Sequence, residues 1–241
     1  MNKWVIIAVV SVAVVVAATV LYFGLTQKGK ELPTSVEYVG GRYNVTLSFF
    51  NDSGQIDYGH IDYVDETGNH SEMYFEPQMR TGLDWIRNNT VENATFLCWW
   101  DYGHMVKGYA ERNVIGRNPS HEWIEMVPEG WRSHVIEFDS NDKLVDVAKA
   151  LTTSNSTETM QIMEKYSATY IVVYEGDMTK LGWIYRIAGV EPSTYIYQAQ
   201  NSSYAPNEEG RQTMIVRLLD NRDTGFTLVY QDTVMKVYKK N

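Results

Sequence analysis

The sequence predicts a mixed α+β (α/β) ectodomain, with a central strand–helix core and β-rich ends, behind a single N-terminal transmembrane helix. Three observations carry this. Residues 4–25 (WVIIAVVSVAVVVAATVLYFGL) form an uncharged apolar run. Two short β-prone runs, TFLCWW and TYIVVY, alternate with segments whose apolar residues recur at helical spacing. Aromatic, β-like stretches broken by turn residues fill residues 43–75 and the C-terminal tail.

At 1.5 Å per residue, the run from Trp4 to Leu25 spans about 33 Å, enough for a hydrocarbon core of about 30 Å. A cleavable signal is the alternative, but the run exceeds a signal's apolar region and no small-x-small site follows it. Trp4 and Tyr22 stand where interfacial aromatics belong. Lys3 and the amino terminus on one side nearly balance Lys28 and Lys30 on the other, so flanking charge does not orient the helix. Glycosylation sequons do. Asn-x-Ser/Thr occurs at Asn44, Asn51, Asn69, Asn88, Asn93, Asn155 and Asn201, against about 2 sites expected by composition. An exported, N-glycosylated domain puts the chain in the cell membrane, single-pass, with its C-terminal domain external. Polar loops rich in Asn and Ser are the other explanation.

The 30 acidic and 21 basic side chains leave a net charge of −9. With no basic stripe to neutralise phosphates, a nucleic-acid partner is not expected. The 21% charged and 13% aromatic content is that of a chain able to bury a core. A lone cysteine, Cys98, rules out an intrachain disulfide framework and a Cys-based zinc knuckle.

Past the anchor (1–30), residues 31–76 read as a linker, ELPTSVE, followed by a three-stranded meander: RYNVTLSFF, IDYGHIDYV and SEMYF, separated by the turns NDSG and DETGN. Residues 77–241 form the globular domain. There, QMRTGLDWIRNN is a helix with Met79, Leu83 and Ile86 on one face. TFLCWW is a buried strand ending at Trp100, and Asp101-Tyr102-Gly103 breaks it. DKLVDVAKALTT is a helix through Leu144, Val147, Ala148 and Leu151, and TETMQIMEKY is another, begun by a capping box of Asn155 and Glu158. TYIVVY is the second buried strand. Asp177 caps the helix MTKLGWIYRIA, which Gly189 stops. TYIYQA, QTMIVRLL and FTLVYQDTVMKVY read as strands.

The chemistry concentrates at Trp99-Trp100-Asp101-Tyr102-Gly103, at the mouth of a strand, where α/β folds commonly place ligand sites. An indole N–H only donates and an ionised carboxylate only accepts. A hydroxyl does both, so the cluster suits a Ser or Thr side chain; core filling by the Trp pair, with Asp101 capping the next turn, is the plain alternative. Asp101-x-x-His104 puts two metal-ligating side chains on one face, to which His121 or Glu122 would have to add, but no recognised ligand spacing is present. His60, His70, His104, His121 and His134 are therefore expected on surfaces or loops. No metal site is expected in this chain.

The WWDYG stretch resembles the signature of the C-terminal soluble domain of the oligosaccharyltransferase catalytic subunit. The similarity extends through GLDWIRNNTVENATFLCWWDYGH, VAKALTTSNSTETMQIMEKYSATYIVVY and LVYQDTVMKVYK, over about residues 77–241. The resemblance implies that Trp99, Trp100 and Asp101 bind the Ser/Thr hydroxyl of an Asn-x-Ser/Thr acceptor, with Tyr102 and Gly103 in support. A second family pattern matches Asp177, Lys180 and Ile184 in DMTKLGWI, which implies that Ile184 meets the methyl of Thr. The family's many-helix membrane domain, which supplies the carboxylates for Mg or Mn and the lipid-pyrophosphate site, has no counterpart here, and residues 43–75 do not map onto the family. The expectation is a membrane-anchored module that recognises acceptor polypeptides, has no catalytic residues or cofactor of its own, and works beside a multi-spanning transferase subunit. A structural surface glycoprotein, or the detached soluble half of a split transferase, is the alternative.

Overall fold

The computed structural model describes residue 33 and residues 35–241, apart from 52–55, 69, 128, 133, 134, 136, 199–203 and 223. The transmembrane run Trp4–Leu25 lies outside the described residues. Among the described residues no helix is long and apolar enough to cross a membrane.

The N-terminal part is a four-stranded antiparallel sheet in sequential order: β1 (Ser35–Gly40), β2 (Val45–Asn51), β3 (Ile56–Val64) and β4 (His70–Phe75). The expected three-strand meander is there, and β1 extends it. Ser35–Glu37, read as the end of the linker ELPTSVE, belongs to a strand because its backbone pairs with Leu47–Phe49. Period-two burial explains the sheet: Val45, Leu47 and Phe49 are buried while Thr46 and Ser48 are not, and Ile61, Tyr63, Met73 and Phe75 complete the buried face.

That face packs on the rest of the chain. Helix α1 (Arg80–Asn89) buries Leu83 and Ile86, and Met79 at its N-cap is buried on the same side, as the spacing predicts. Strand β5 (Thr95–Leu97) leads into α2 (Trp100–Gly108), which lies against β3 and β4. A Cβ on Gly108 would stand 2.4 Å from the Tyr63 ring, so the absent side chain sets how closely β3 approaches the helix. The apolar face of β2–β4 belongs to the same hydrophobic core as the helices and the second part of the chain.

The second sheet has the order β10 (Phe226–Gln231), β11 (Met235–Lys240), β7 (Tyr170–Tyr174), β5, β6 (Asn113–Val114). Strands β5, β6 and β7 are parallel, and the terminal hairpin adds antiparallel to β7. Between β6 and β7 run a 3₁₀ segment (His121–Met126), the short α3 (Glu129–Arg132), α4 (Asn141–Thr152) and α5 (Ser156–Lys165). After β7 come a 3₁₀ turn (Glu175–Thr179), α6 (Leu181–Ile187), the small β8 (Ile196–Gln198) and β9 (Tyr204–Pro206) pair, α7 (Glu208–Arg211) and α8 (Met214–Leu219).

Three local expectations are corrected. TFLCWW is a strand only to Leu97, because Trp100 already starts a helix. QTMIVRLL is not a strand: Met214–Leu219 is a helix packed against α4 and β7, with Met214, Ile215, Val216, Leu218 and Leu219 all buried. Burial all round removes the amphipathic period that would have marked it as helical. Asn155 does cap α5, accepting from Thr157 N at 3.0 Å, but Glu158 accepts from the Thr153 hydroxyl at 2.6 Å instead of closing a reciprocal box.

Candidate functional site

Strand β6 lies on one side of β5 and β7 on the other, so the chain leaves β5 in one direction and returns to its opposite edge. The carboxyl end of β5 is therefore the point where the strand order reverses, the place where open parallel sheets leave a crevice. Cys98 and Trp99 follow β5 directly and Trp100 opens α2. Trp99 and Trp100 are buried, with ring centroids 6.4 Å apart and planes at 53°.

Their neighbours line a cavity of about 460 Å³, bordered by Trp99, Trp100, Asp101, Tyr74, Lys180 and Trp183. The Trp100 indole N–H is buried and has no hydrogen-bond partner. An unpartnered buried donor is costly unless something else satisfies it. Asp101 stands in the first turn of α2, where the helix end favours a carboxylate, and forms an ion pair with Lys180. Trp100, whose buried indole N–H is unpartnered, thus borders the cavity next to the Asp101 carboxylate, among predominantly apolar side chains.

Tyr102 and Gly103 support this arrangement in ways their positions in the motif do not reveal. The Tyr102 hydroxyl lies 2.9 Å from Asp177 Oδ2 and 3.1 Å from the Val172 carbonyl oxygen, tying the start of α2 to the end of β7. A Cβ on Gly103 would fall 2.1 Å from the Gly116 carbonyl oxygen, so only glycine lets α2 press against that loop.

Asp177 is corrected. It does not cap α6; it sits inside the preceding 3₁₀ turn with no exposed surface, and its Oδ2 also accepts from Tyr174 N at 3.0 Å. Burial raises its pKa to about 7, against the opposing hydrogen bonds from Tyr174 and Tyr102 and the charge of Lys180. Oδ1 is buried and unpartnered. Because α6 begins only at Leu181, the helical phase assumed from Asp177 onward does not hold. Ile184 is fully buried and does not line the cavity; Trp183, half-buried, does.

His104 is also corrected, since it lies inside α2 at 1% exposure. Its Nε2 meets the Tyr74 carbonyl oxygen, so that nitrogen carries the proton, while Nδ1 has no hydrogen-bond partner. Burial lowers its pKa to about 4, with the Tyr74 carbonyl and the Asp101 charge acting the other way. His121 is exposed and stacks on Phe138 at 3.7 Å, and Glu122 is exposed. His70 pairs with Asp62 and His60 with Glu72 on the first sheet, and His134 lies outside the described residues. Among the described residues no group of three or more His, Cys, Asp or Glu is placed to hold a metal ion.

Of the sequons, Asn44, Asn88, Asn93 and Asn155 are exposed. Asn69 and Asn201 lie outside the described residues, and Asn51 ends β2. Sequence reasoning missed Tyr74 and Met73 from β4, Met105 from α2, Met126 from the 3₁₀ segment, and Trp183 as cavity residues. Trp183 was within reach, one residue from Ile184. The β4 residues were not, because nothing local says which strand face will meet a helix 30 residues later.

No protein-family model matches the chain. In sequence it is similar to the dolichyl-diphosphooligosaccharide–protein glycosyltransferase subunit stt-3 of Caenorhabditis elegans, at 26% identity over 159 residues, 61% of this chain and 18% of that relative. The corresponding subunit stt3 of Schizosaccharomyces pombe is 27% identical over 150 residues, 58% of this chain and 17% of that relative. The chain therefore spans under a fifth of these curated relatives. In structure it is similar to the C-terminal globular domain of oligosaccharyltransferase from Archaeoglobus fulgidus, with a TM-score of 0.50 and 22% identity, over 70% of this chain and 100% of that one.

Proposed function

We propose that this chain, related to the C-terminal soluble domain of the oligosaccharyltransferase catalytic subunit, binds Asn-x-Ser/Thr segments of acceptor polypeptides through the cavity at the end of β5. The observation that carries the reading is the buried, unpartnered indole N–H of Trp100, a residue that borders the cavity together with Asp101. A Ser or Thr hydroxyl accepts from the indole and donates to the carboxylate, and Lys180 holds that carboxylate in place. An acceptor with Ala at this position leaves both groups desolvated and unpaired, which is how a polar site rejects a ligand that lacks the hydroxyl.

The rest of the proposal is a division of labour. Amide glycosylation calls for a Lewis-acidic metal held by carboxylates. In this reading the metal-holding carboxylates belong to another subunit, and this chain's own residues, Trp100, Asp101 and Lys180, bind and orient the acceptor. The chain acts as an external, membrane-anchored recognition module, and a multi-spanning subunit carries the metal, the lipid-linked donor and the transfer. Tethering at the membrane makes encounter of the bound acceptor with that subunit effectively intramolecular.

Calorimetric titration of the full chain with three peptides that differ only in Thr, Ser or Ala at the sequon's third position tests the reading. Thr and Ser peptides bind, and Ala loses about 1–3 kcal/mol. Equal affinity for all three sinks it. Reconstitution with lipid-linked oligosaccharide, peptide and Mn²⁺ yields no glycopeptide until the multi-spanning subunit is added.

A further inference from the structure

The cavity is larger than a hydroxyl-bearing side chain needs. A Thr side chain has three heavy atoms, and the space at the end of β5 holds about 460 Å³. The remainder is lined by four methionines from separate parts of the chain: Met73 of β4, Met79 just before α1, Met105 of α2 and Met126 of the 3₁₀ segment His121–Met126. Val127 and Trp183 continue the apolar wall. Met73 and Met105 are buried while Met126 and Trp183 are half-buried, so the wall runs from the interior toward the mouth. Unbranched thioether side chains adapt to varied apolar shapes and favour aromatic rings through sulfur contacts.

We infer that this methionine wall is a second subsite, taking a large apolar side chain, aromatic above all, from the residue two positions after the acceptor's Ser or Thr. The inference rests on the acceptor reading above. Its position follows from chain geometry. In an extended peptide, residues i and i+2 point to the same face about 7 Å apart, whereas the immediate neighbours of Thr point away. On the other side of Thr, the residue two positions away is the acceptor Asn, which has to reach the transfer chemistry. The apolar subsite is left for the residue on the C-terminal side. Glu76, which also borders the cavity and accepts from the Tyr74 hydroxyl at 2.8 Å, disfavours an acidic residue there.

The subsite gives the first sheet a role in recognition. Met73 and Tyr74 lie on β4, part of the segment that precedes the family-like region, and their placement depends on β3 and β4 packing against α2. The N-terminal sheet is then a specificity wall as well as added core.

Four peptides test this on the full chain: Thr or Ala at the hydroxyl position, combined with Phe or Asn two residues later. The Phe peptide with Thr binds about 10-fold tighter than its Asn counterpart, as burial of most of one aromatic side chain predicts. Moving Phe to the position between Asn and Thr removes the gain. Met126→Ala, at a half-exposed position, reduces the Phe-over-Asn ratio to about 3-fold, and Met73→Ala does so more strongly; thermal melts without peptide confirm that each variant is folded. Thr favoured over Ala with no Phe preference overturns the subsite and leaves the acceptor reading standing. Phe favoured with no Thr preference overturns the acceptor reading, and with it the assignment of this subsite to an acceptor. A Phe preference that survives both methionine variants undiminished overturns the location.

Discussion

The Tyr102 hydroxyl and the Asp177 carboxylate meet at 2.9 Å with both side chains buried, joining two motifs that lie 75 residues apart in the chain. One follows β5 and the other follows β7, and the two strands are parallel neighbours in the sheet. The contact holds the 3₁₀ turn against α2, and Lys180, next after that turn, reaches Asp101.

Two buried groups at this junction titrate with opposite effects on stability. The Asp177 pKa rises from 3.8 to about 7, so the folded state holds an extra proton between these values and loses stability as pH climbs through 7. The His104 pKa falls from 6.5 to about 4, so the unfolded chain holds the extra proton and the fold loses stability as pH drops through 4. The two contributions oppose each other between about pH 4 and 6.5. Denaturant unfolding from pH 4 to 7.5 separates them. Relative to wild type, Asp177→Asn makes the stability slope more positive, and His104→Gln makes it more negative, each by at most about 1.4 kcal/mol per pH unit. Parallel curves for wild type and both variants refute the assignment.

Asp101→Asn keeps the shape of the carboxylate but loses its charge and one acceptor oxygen, so Thr-peptide affinity falls by about 1–3 kcal/mol while the melting temperature stays within a few degrees. Lys180→Met removes the cation that pairs with Asp101. It weakens Thr-peptide binding and leaves the weak affinity for Ala peptides unchanged, because the ion pair positions only the group that reads the hydroxyl. Calorimetry with matched peptides measures both.

Ile184 and Trp183 are adjacent in sequence and differ in what they touch. Ile184→Val removes one buried methyl group and costs about 0.5–1.5 kcal/mol of stability, with the Thr-to-Ser preference unchanged. Trp183→Ala, at the cavity wall, lowers peptide affinity with a smaller effect on the fold. Denaturation midpoints and peptide titrations on both variants decide it; a Thr-to-Ser ratio altered by Ile184→Val contradicts the placement of that residue outside the cavity.

The exposed sequons at Asn44, Asn88, Asn93 and Asn155 are the ones open to glycan in the native host if the domain is external. Asn155 caps α5 through its Oδ1, and N-glycosylation modifies the amide nitrogen, so cap and glycan are compatible. Intact-mass measurement on protein from the native membrane shows hexose-scale additions, and an unmodified mass there argues for an internal domain.

Much of the secondary structure was legible because it follows from local periodicity. Met79, Leu83 and Ile86 mark α1, Leu144, Val147, Ala148 and Leu151 mark α4, and the alternation through Val45, Leu47 and Phe49 marks β2, in each case because one face is buried and the other wet. Where burial is complete that signal vanishes, which is why Met214–Leu219 read as strand and proved helical. Asp177 departs from its expected place as a helix cap for a different reason. A carboxylate before an amphipathic run is an ordinary cap, and only contact with Tyr102 and Tyr174 turns it inward.

The sequence by itself determined that an indole pair and a carboxylate stand together just past the end of a buried strand, because that is a matter of residue type and order. Only the tertiary structure decided the shape of the site. The reversal of strand order around β5 opens the crevice, β4 supplies Met73 and Tyr74 from a segment with no motif, and Trp183 replaces Ile184 at the wall. These are contacts between residues 25 or more positions apart, and no local spacing records them, since side-chain packing across elements depends on how whole faces meet.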